Sequence, residues 1–419
     1  MTSTVTIVGG GLAGLIAATE VAEAGVPVRV LEARAHIGGR ASTAPAPYLA
    51  NLGPHALYTG TALWEWLRDH GLHRPVRLPL DPRIKFRWQG KLRALPPRPL
   101  LAALPALLGR RGGNGDAPID VDLRTWATDR WGPEAAQAMA GLGGPLTFDY
   151  DPGRLSAAFV VERIRRILLA PTPTPRYAAG GWSALVDRVG AHAERLGVEI
   201  ETGAAVDSHH LGELADRGPV ILAVAPGAAR RLLGEDIVAA DSRRVALVDV
   251  AIDRQRPNPY LVMDLDEAIF VTRTTAVVAS LAPQGQDLIQ ISGGMTPGED
   301  LNHAERRLQA VLELSYPGWS DRQRWYRRAG MREATGAIDL PGRTWRDRPA
   351  VDRGDGTWLA GDWVAAPGHL AEVSANSALA AARGAVHLWQ TSMRASAAAA
   401  ASAPVATQPH GLRQSVRLG

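Results

Sequence analysis

Three glycines and one carboxylate near the start of the chain have the spacing that a dinucleotide requires. In VTIVGGGLAGL, Gly9, Gly11 and Gly14 fall at G-x-G-x-x-G, where a side chain would block a tight turn or the approach of a pyrophosphate. Glu32 follows eighteen residues after Gly14. At that place a carboxylate accepts hydrogen bonds from ribose hydroxyls and repels a 2′-phosphate. Just beyond it, EARAHIGGR supplies Gly38, Gly39 and Arg40, a second flexible turn and a guanidinium able to reach the diphosphate or what lies past it. A nicotinamide dinucleotide has no need of that second turn.

These residues must be held by a strand-helix-strand unit. Val5 to Val8 are β-favouring, and Leu15, Ala18 and Ala22 recur at i, i+3 and i+7, which predicts a helix whose free N–H groups at the glycine end can bind phosphate oxygens. Gly25 ends that helix and Val28 to Leu31 form the next strand. A second block of the same character runs from Tyr177 to Val206: Leu185, Val189 and Leu196 share a helix face, Gly197 stops it, and VEIETGAAV reads as a strand ending at Val206. Pro219 to Pro226 supplies another strand. The stretch from Thr357 to Trp389 closes with a strand, a Gly-Asp turn and an alanine-rich helix starting near Leu370. The expected fold is therefore α/β, with a discontinuous Rossmann-like nucleotide domain made of residues 1–75, 176–244 and 340–393.

The intervening stretches lack that pattern and predict an inserted α+β substrate domain from residues 76–175 and 245–339. Arg83 to Pro96 alternates around Gly90 as a hairpin would. The runs AIFVTRTTAVVASLA and DLIQISGG, inside Val245 to Asp339, suit an antiparallel sheet covered by helices. Substrate should bind between this domain and the nucleotide. Residues 394–419 offer little to bury and are expected to form a disordered tail.

Composition removes several classes of chemistry. The chain has 419 residues, 46% hydrophobic and 21% charged, enough for two ordinary globular domains. It contains no cysteine, so disulfides, thiolate metal sites, cysteine nucleophiles and a cysteinyl link to a cofactor are all absent. The eleven histidines are scattered, and no metal is expected. The net charge is +4, with lysine only at Lys85 and Lys91 and no basic tract, which argues against nucleic acid as a partner. With no leader pattern and no long apolar run, a cytoplasmic location is expected. RPLLAALPALLGRR, Arg98 to Arg111, reads either as a helix lining an apolar tunnel, which is preferred, or as one resting on a membrane surface.

Gly9 to Arg40 resembles the opening of the flavin amine oxidase and phytoene desaturase superfamily of FAD enzymes, and the resemblance runs from Val5 to about Ala385, through GKLRALP and DPGRLSAA. It implies a resident, non-covalent FAD. The implied cofactor contacts are Gly9, Gly11, Leu12, Ala13 and Gly14, then Glu32, Ala33 and Arg34, then Gly38, Gly39 and Arg40. In NLGPHALY, the resemblance places Gly53, Pro54 and His55 beside the isoalloxazine, and it places Val206 against adenine. Gly361 and Asp362 would meet the ribityl hydroxyls, with Leu370 and Ala371 opening a helix that faces the pyrimidine edge and stabilises the anionic reduced ring. His55 is the candidate catalytic acid or base; packing beside the ring without proton exchange is the simpler alternative.

Departures from the superfamily direct the choice of reaction. Its amine oxidases place a lysine near flavin N5 from the second insertion, and Val245 to Asp339 contains none. Trp358 and Trp363 do not supply the pair of tyrosines that frames an amine. Desaturation needs less machinery: a hydride passes to flavin N5, a proton leaves, and an apolar tunnel holds the carbon chain. The expectation is an FAD-dependent oxidoreductase that dehydrogenates a hydrophobic small molecule, with oxygen or a quinone as possible electron acceptor. Oxidation of a C–N bond in an amine is one alternative, and a flavin with a structural or isomerising role is another.

Overall fold

A computed structural model describes residues 4–53, 55–107, 117–168, 175–235, 243–255 and 257–401. Val5–Val8 lies at the centre of a five-stranded parallel sheet, in the order Thr357–Leu359, Val220–Leu222, Val5–Val8, Val28–Glu32, Glu199–Thr202. All four residues of the central strand are buried, as the continuous apolar run of a strand covered on both faces requires. Helix Leu12–Glu23 follows it and packs with helices Gly181–Arg195 and Ala371–Ala401 around Ile16, Val21, Val189 and Ala378. Gly25, at φ +73°, follows the last turn of this helix and returns the chain to the sheet. Three separate stretches of chain thus build one nucleotide-binding type of layer.

The second sheet has seven strands, in the order Gln323–Met331, Val245–Asp253, Gln286–Gly294, Phe270–Arg273, Leu261–Asp264, Ile84–Trp88, Lys91–Arg93. Only Leu261–Asp264 with Ile84–Trp88 pairs in parallel. Gln89 and Gly90 take φ +50° and +71°, so the hairpin read around Gly90 closes through two left-handed residues, the arrangement that matches strand twist. Helix Leu301–Ser315 packs Leu308, Val311 and Leu312 against the sheet. Helices Leu123–Trp131, Pro133–Thr147 and Ala157–Leu168 pack beside its Leu261–Asp264 strand. Helix Arg98–Leu107 joins the same cluster through Leu100, Ala103 and Leu107. Residues 108–111 of the stretch read as a tunnel or membrane helix lie outside the described residues.

Four local readings change. The strand expected to reach Val206 stops at Thr202, because Gly203 turns the chain at φ +73°. Helix Gly181–Arg195 ends before Leu196, which is 38% exposed and so is not on the buried face with Leu185 and Val189. Of the Ala268–Ala282 run only Phe270–Arg273 is a strand. Thr275 there donates to Asp287 Oδ1 (3.2 Å) and accepts from the Leu288 N–H (3.1 Å), so its side chain replaces a ladder bond and the backbone tightens into 3₁₀ turns. Finally, helix Ala371–Ala401 runs past residue 394, where a disordered tail was expected. Alanine is the strongest helix former, and the AAAAA run at the helix end carries it on; residues 402–419 lie outside the described residues.

Helix Pro133–Thr147 delivers Pro145 and the following Phe148 to the space between the sheets, and two glycines fix its depth. A Cβ on Gly141 would stand 2.4 Å from Leu265 Cα, and one on Gly144 would stand 2.5 Å from Ala268 O. Gly141→Ala should therefore cost about 1–3 kcal/mol, as overpacking does. Gly212→Ala, on exposed helix Ser208–Arg217 with nothing within 4 Å, should gain up to ~1 kcal/mol. Urea unfolding of the two variants beside the parent protein checks the contrast; equal effects would place helix Pro133–Thr147 further from the 265–268 turn.

Candidate active site

The carboxyl ends of the parallel strands open onto a cavity of about 750 Å³ that continues to the second sheet. One end is lined by Gly9, Gly11 and Glu32, the other by Pro145, Phe148, Val245, Leu247 and Met331. Nearly all the residues singled out in the sequence meet there. Gly9, Gly11, Leu12, Ala13, Glu32, Ala33, Arg34, Gly38, Gly39, Arg40, Gly53, His55, Val206, Gly361, Asp362, Leu370 and Ala371 all line it. Gly14 does not, and Pro54 lies outside the described residues. Val206 reaches the cavity from a loop rather than from a strand end.

The three glycines of the first turn do different work. A Cβ on Gly9, at φ +108°, would lie 2.5 Å from Ala223 O, and one on Gly14 would lie 1.9 Å from Gly9 O. Both are demanded by close packing of strand ends and helix. A Cβ on Gly11 would meet nothing within 4 Å and would point into open space at the cavity wall. Protein packing does not require Gly11; the space beside it belongs to the cavity. The second glycine turn is tied to the first, with the Gly38 N–H donating to Gly10 O at 2.8 Å.

Glu32 is 7% exposed and accepts from the Gly10 N–H (2.7 Å, Oε2) and the Arg34 N–H (2.9 Å, Oε1). Its carboxylate is thereby aimed before any ligand arrives. Arg40 and Asp362, expected to act separately, are given to each other. Arg40 Nη2 donates to Asp362 Oδ1 (2.6 Å) and Nη1 to Oδ2 (3.0 Å), while Nη1 also donates to the carbonyls of Glu333 and Ala334. The guanidinium is a clasp between the N-terminal turn and the Gly-Asp turn. Leu370 takes φ +51°, and the helix proper begins at Ala371.

His55 lines the cavity while lying beneath the outer surface. Its Nδ1 is 3.0 Å from Gly53 O; a carbonyl only accepts, so Nδ1 carries the proton and Nε2 keeps a lone pair. The ring meets Trp182 edge-on at 5.1 Å. Burial lowers its pKa to about 4, against the Gly53 hydrogen bond and helped by the Arg40 charge. A neutral imidazole with so low a pKa is not a general acid at pH 7.

Sequence reasoning passed over a second cavity imidazole, His369. It is 2% exposed, and neither ring nitrogen has a hydrogen-bond partner among the described residues. Nδ1 lies 3.6 Å from Glu372 Oε2, too far for a hydrogen bond, and the ring lies 5.8 Å from that of Tyr58. Glu372 is held instead by Arg166 Nη2 (2.7 Å) and the Ala62 N–H (3.1 Å). Burial lowers the His369 pKa to about 3, with the Arg163 and Arg166 charges adding to it. The signal was its place in PGHLAE, directly before the helix that opens at the cavity.

Residues 7–69 match the family model described as an NAD(P)-binding Rossmann-like domain. Cyclohexylamine oxidase from Brevibacterium oxydans IH-35A superposes with a TM-score of 0.68 at 16% identity, over 92% of this chain and 99% of that one. A putative protoporphyrinogen oxidase from Exiguobacterium sp. 255-15 gives 0.64 at 16% identity, over 92% and 98%. Both solved structures share the fold of this chain. Reduced UDP-galactopyranose mutase shares it as well, with a TM-score of 0.65 at 12% identity over 94% of both chains. No curated protein sequence matches the chain. None of the described helices is long and apolar enough to cross a membrane. Leu100, Ala103 and Leu107 of the Arg98–Leu107 helix are buried in the helical cluster and do not line the cavity.

His369 makes the fold sensitive to acid. In the folded protein it stays neutral down to about pH 3, whereas a histidine in an unfolded chain takes up its proton near pH 6.5. Between those values the unfolded chain binds more protons, so unfolding free energy falls as pH falls. Ligand-free His369→Gln should lose less stability than the parent between pH 6.5 and 4.5, read from urea midpoints at each pH. Parallel acid limbs would show that His369 is protonated in the folded state.

Proposed function

We propose that the protein is an oxidoreductase that holds FAD non-covalently along this cavity and dehydrogenates a hydrophobic small molecule. The observation that carries the reading is the single cavity joining the glycine turn and Glu32 to the apolar wall of Phe148, Leu247 and Met331. The residues fit the cofactor: Gly11 leaves the space a pyrophosphate needs, the helix starting at Leu12 offers its free N–H groups to phosphate oxygens, and the aimed Glu32 carboxylate suits ribose hydroxyls. The helix N-terminus at Ala371 stabilises negative charge beside it. When bound, FAD supplies the two-electron acceptor for a hydride.

The chain's own part is to bind, orient and keep water out. Pro145, Phe148, Val245, Leu247 and Met331 form an apolar chamber for a carbon skeleton. His55 and His369 also line the cavity, and burial keeps both neutral. Arg163 and Arg166, whose charges act on His369, disfavour an ammonium group beside that ring. The two lysines lie on strands Ile84–Trp88 and Lys91–Arg93, and neither lines the cavity. These features support carbon-chain dehydrogenation over amine oxidation.

Purified protein should be yellow and release its flavin on mild acidification, since no cysteine is present to attach it. Glu32→Ala should weaken FAD binding roughly ten- to a hundredfold, matching about 1.5–3 kcal/mol for hydrogen bonds to a charged acceptor. Asp362→Asn should lower flavin content by opening the Arg40 clasp. His55→Ala should retain flavin, and its single-turnover flavin reduction reports the catalytic share of the ring, roughly 10²–10⁴-fold for a general base and far less for a packing residue. A colourless protein that binds NADH tightly would overturn the cofactor assignment. Anaerobic photoreduction followed by oxygen or a quinone identifies the acceptor, and a flavin that never turns over would move the protein to the structural or isomerising class.

A further inference from the structure

Away from the cavity, three helices end at one point, and the side chains there are Glu23, His70 and His192. Glu23 is the last residue of helix Leu12–Glu23, His70 caps helix Ala62–Asp69, and His192 is in the last turn of helix Gly181–Arg195. Each helix C-terminus carries a partial negative charge from its unpaired carbonyls, and Glu23 adds a carboxylate. One potential ligand atom from each of the three residues lies within 4.8 Å of the other two. We propose that this is a binding site for a divalent transition-metal cation of the zinc class.

The hydrogen bonding fixes which atoms face inward. His70 Nδ1 stands 2.7 Å from Trp66 O and must donate to it, so the neutral ring presents its Nε2 lone pair to the Glu23 carboxylate, at 3.3 Å from Oε1 and 3.4 Å from Oε2. Lone pairs facing a carboxylate repel unless a cation lies between them. His192 Nε2 is 3.8 Å from the same Oε1 and is buried without a hydrogen-bond partner among the described residues. A proton on His70 would satisfy His70 and Glu23 and leave His192 Nε2 unused. A metal ion takes all three.

The supporting geometry is already in place. The Nδ1 donation to a backbone carbonyl is the outer contact that orients a metal-bound histidine. Trp66 packs on the His70 ring at 4.3 Å and donates Nε1–H to Glu20 Oε1 at 2.7 Å, which ties the helix bearing His70 to the one bearing Glu23. In a tetrahedral zinc site with bonds of about 2.0–2.1 Å, neighbouring ligand atoms stand roughly 3.3–3.4 Å apart. The His70–Glu23 distances have that value, and the His192–Glu23 distance of 3.8 Å exceeds it by roughly half an ångström. Two imidazoles and one carboxylate suit zinc and its neighbours rather than magnesium or calcium, which prefer oxygen alone. Scatter along the chain hid the cluster, since its members are 23, 70 and 192.

The site is remote from the chemistry. Glu23 ends the helix whose first residue, Leu12, lines the cavity, a separation of about 17 Å at 1.5 Å per residue. The metal would act as a staple across three helix ends, stabilising the folded form by mass action. After treatment with chelator and dialysis, the full-length protein should bind Zn²⁺ at a one-to-one ratio by calorimetry, and its melting temperature should rise with Zn²⁺ but not with Mg²⁺. His70→Gln and His192→Gln should each weaken Zn²⁺ binding by about tenfold or more, with metal-free melting and flavin content used to confirm folding. Glu23→Gln gives a third test if either histidine variant is not folded. The pair His209→Gln and His210→Gln, on the exposed Ser208–Arg217 helix, should leave binding unchanged. Absence of saturable Zn²⁺ binding, or equal binding by the parent and His192→Gln, would overturn the proposal.

Discussion

The contact on which the molecule depends is the approach of helix Leu12–Glu23 to the end of strand Val5–Val8, where a Cβ on Gly14 would come within 1.9 Å of Gly9 O. No residue other than glycine permits it. That closeness brings the helix N-terminus to the carboxyl edge of the parallel sheet, where its unpaired N–H groups face the cavity. It equally sets the position of the opposite end, where Glu23 meets His70 and His192. One helix therefore presents a partly positive end to the cavity and a partly negative end to the cluster of Glu23, His70 and His192, each by the same alignment of peptide dipoles.

The second constraint joins the two ends of the chain. Arg40 belongs to the second glycine turn and Asp362 to the last strand-helix turn, and their side chains are 35% and 6% exposed. Solvent at the guanidinium weakens the pair's contribution to stability. Its effect on shape is larger, because Nη1 also holds the carbonyls of Glu333 and Ala334, so the return from the mixed sheet is pinned beside the cavity. Removing one partner leaves a nearly buried carboxylate without its cation.

Much of this was legible in the residues. Glycine spacing, the acid after the second strand and the GGR turn specify backbone geometry, which sequence states directly, and the cavity gathers almost every residue they implicate. What was not legible depends on partners far along the chain. Arg40 was read as reaching the diphosphate or the flavin side of it, and nothing local shows Asp362 beside it. His369 has no motif, and its place in the cavity follows from the left-handed Leu370 that turns the chain into the last helix. The β-rich run after Phe270 misled because buried threonine hydroxyls can bond backbone as well as a neighbouring strand can. The alanine tract was read as a tail for lack of apolar bulk, although helix propensity alone extends it.

The order of strands in the parallel sheet also sets a schedule for synthesis. Val5–Val8 needs Val220–Leu222 on one side, and Val220–Leu222 in turn needs Thr357–Leu359. At about 5–20 residues per second, roughly 20–70 s separate the emergence of the central strand from that of the strand that completes the sheet. During that interval the nascent chain carries an apolar, unpaired strand edge, the kind of surface that chaperones cover. Asp362 follows Arg40 by 322 residues, so the clasp cannot close until that intervening chain has been made, and the cavity, which also needs Leu370 to Ser374, is completed later still.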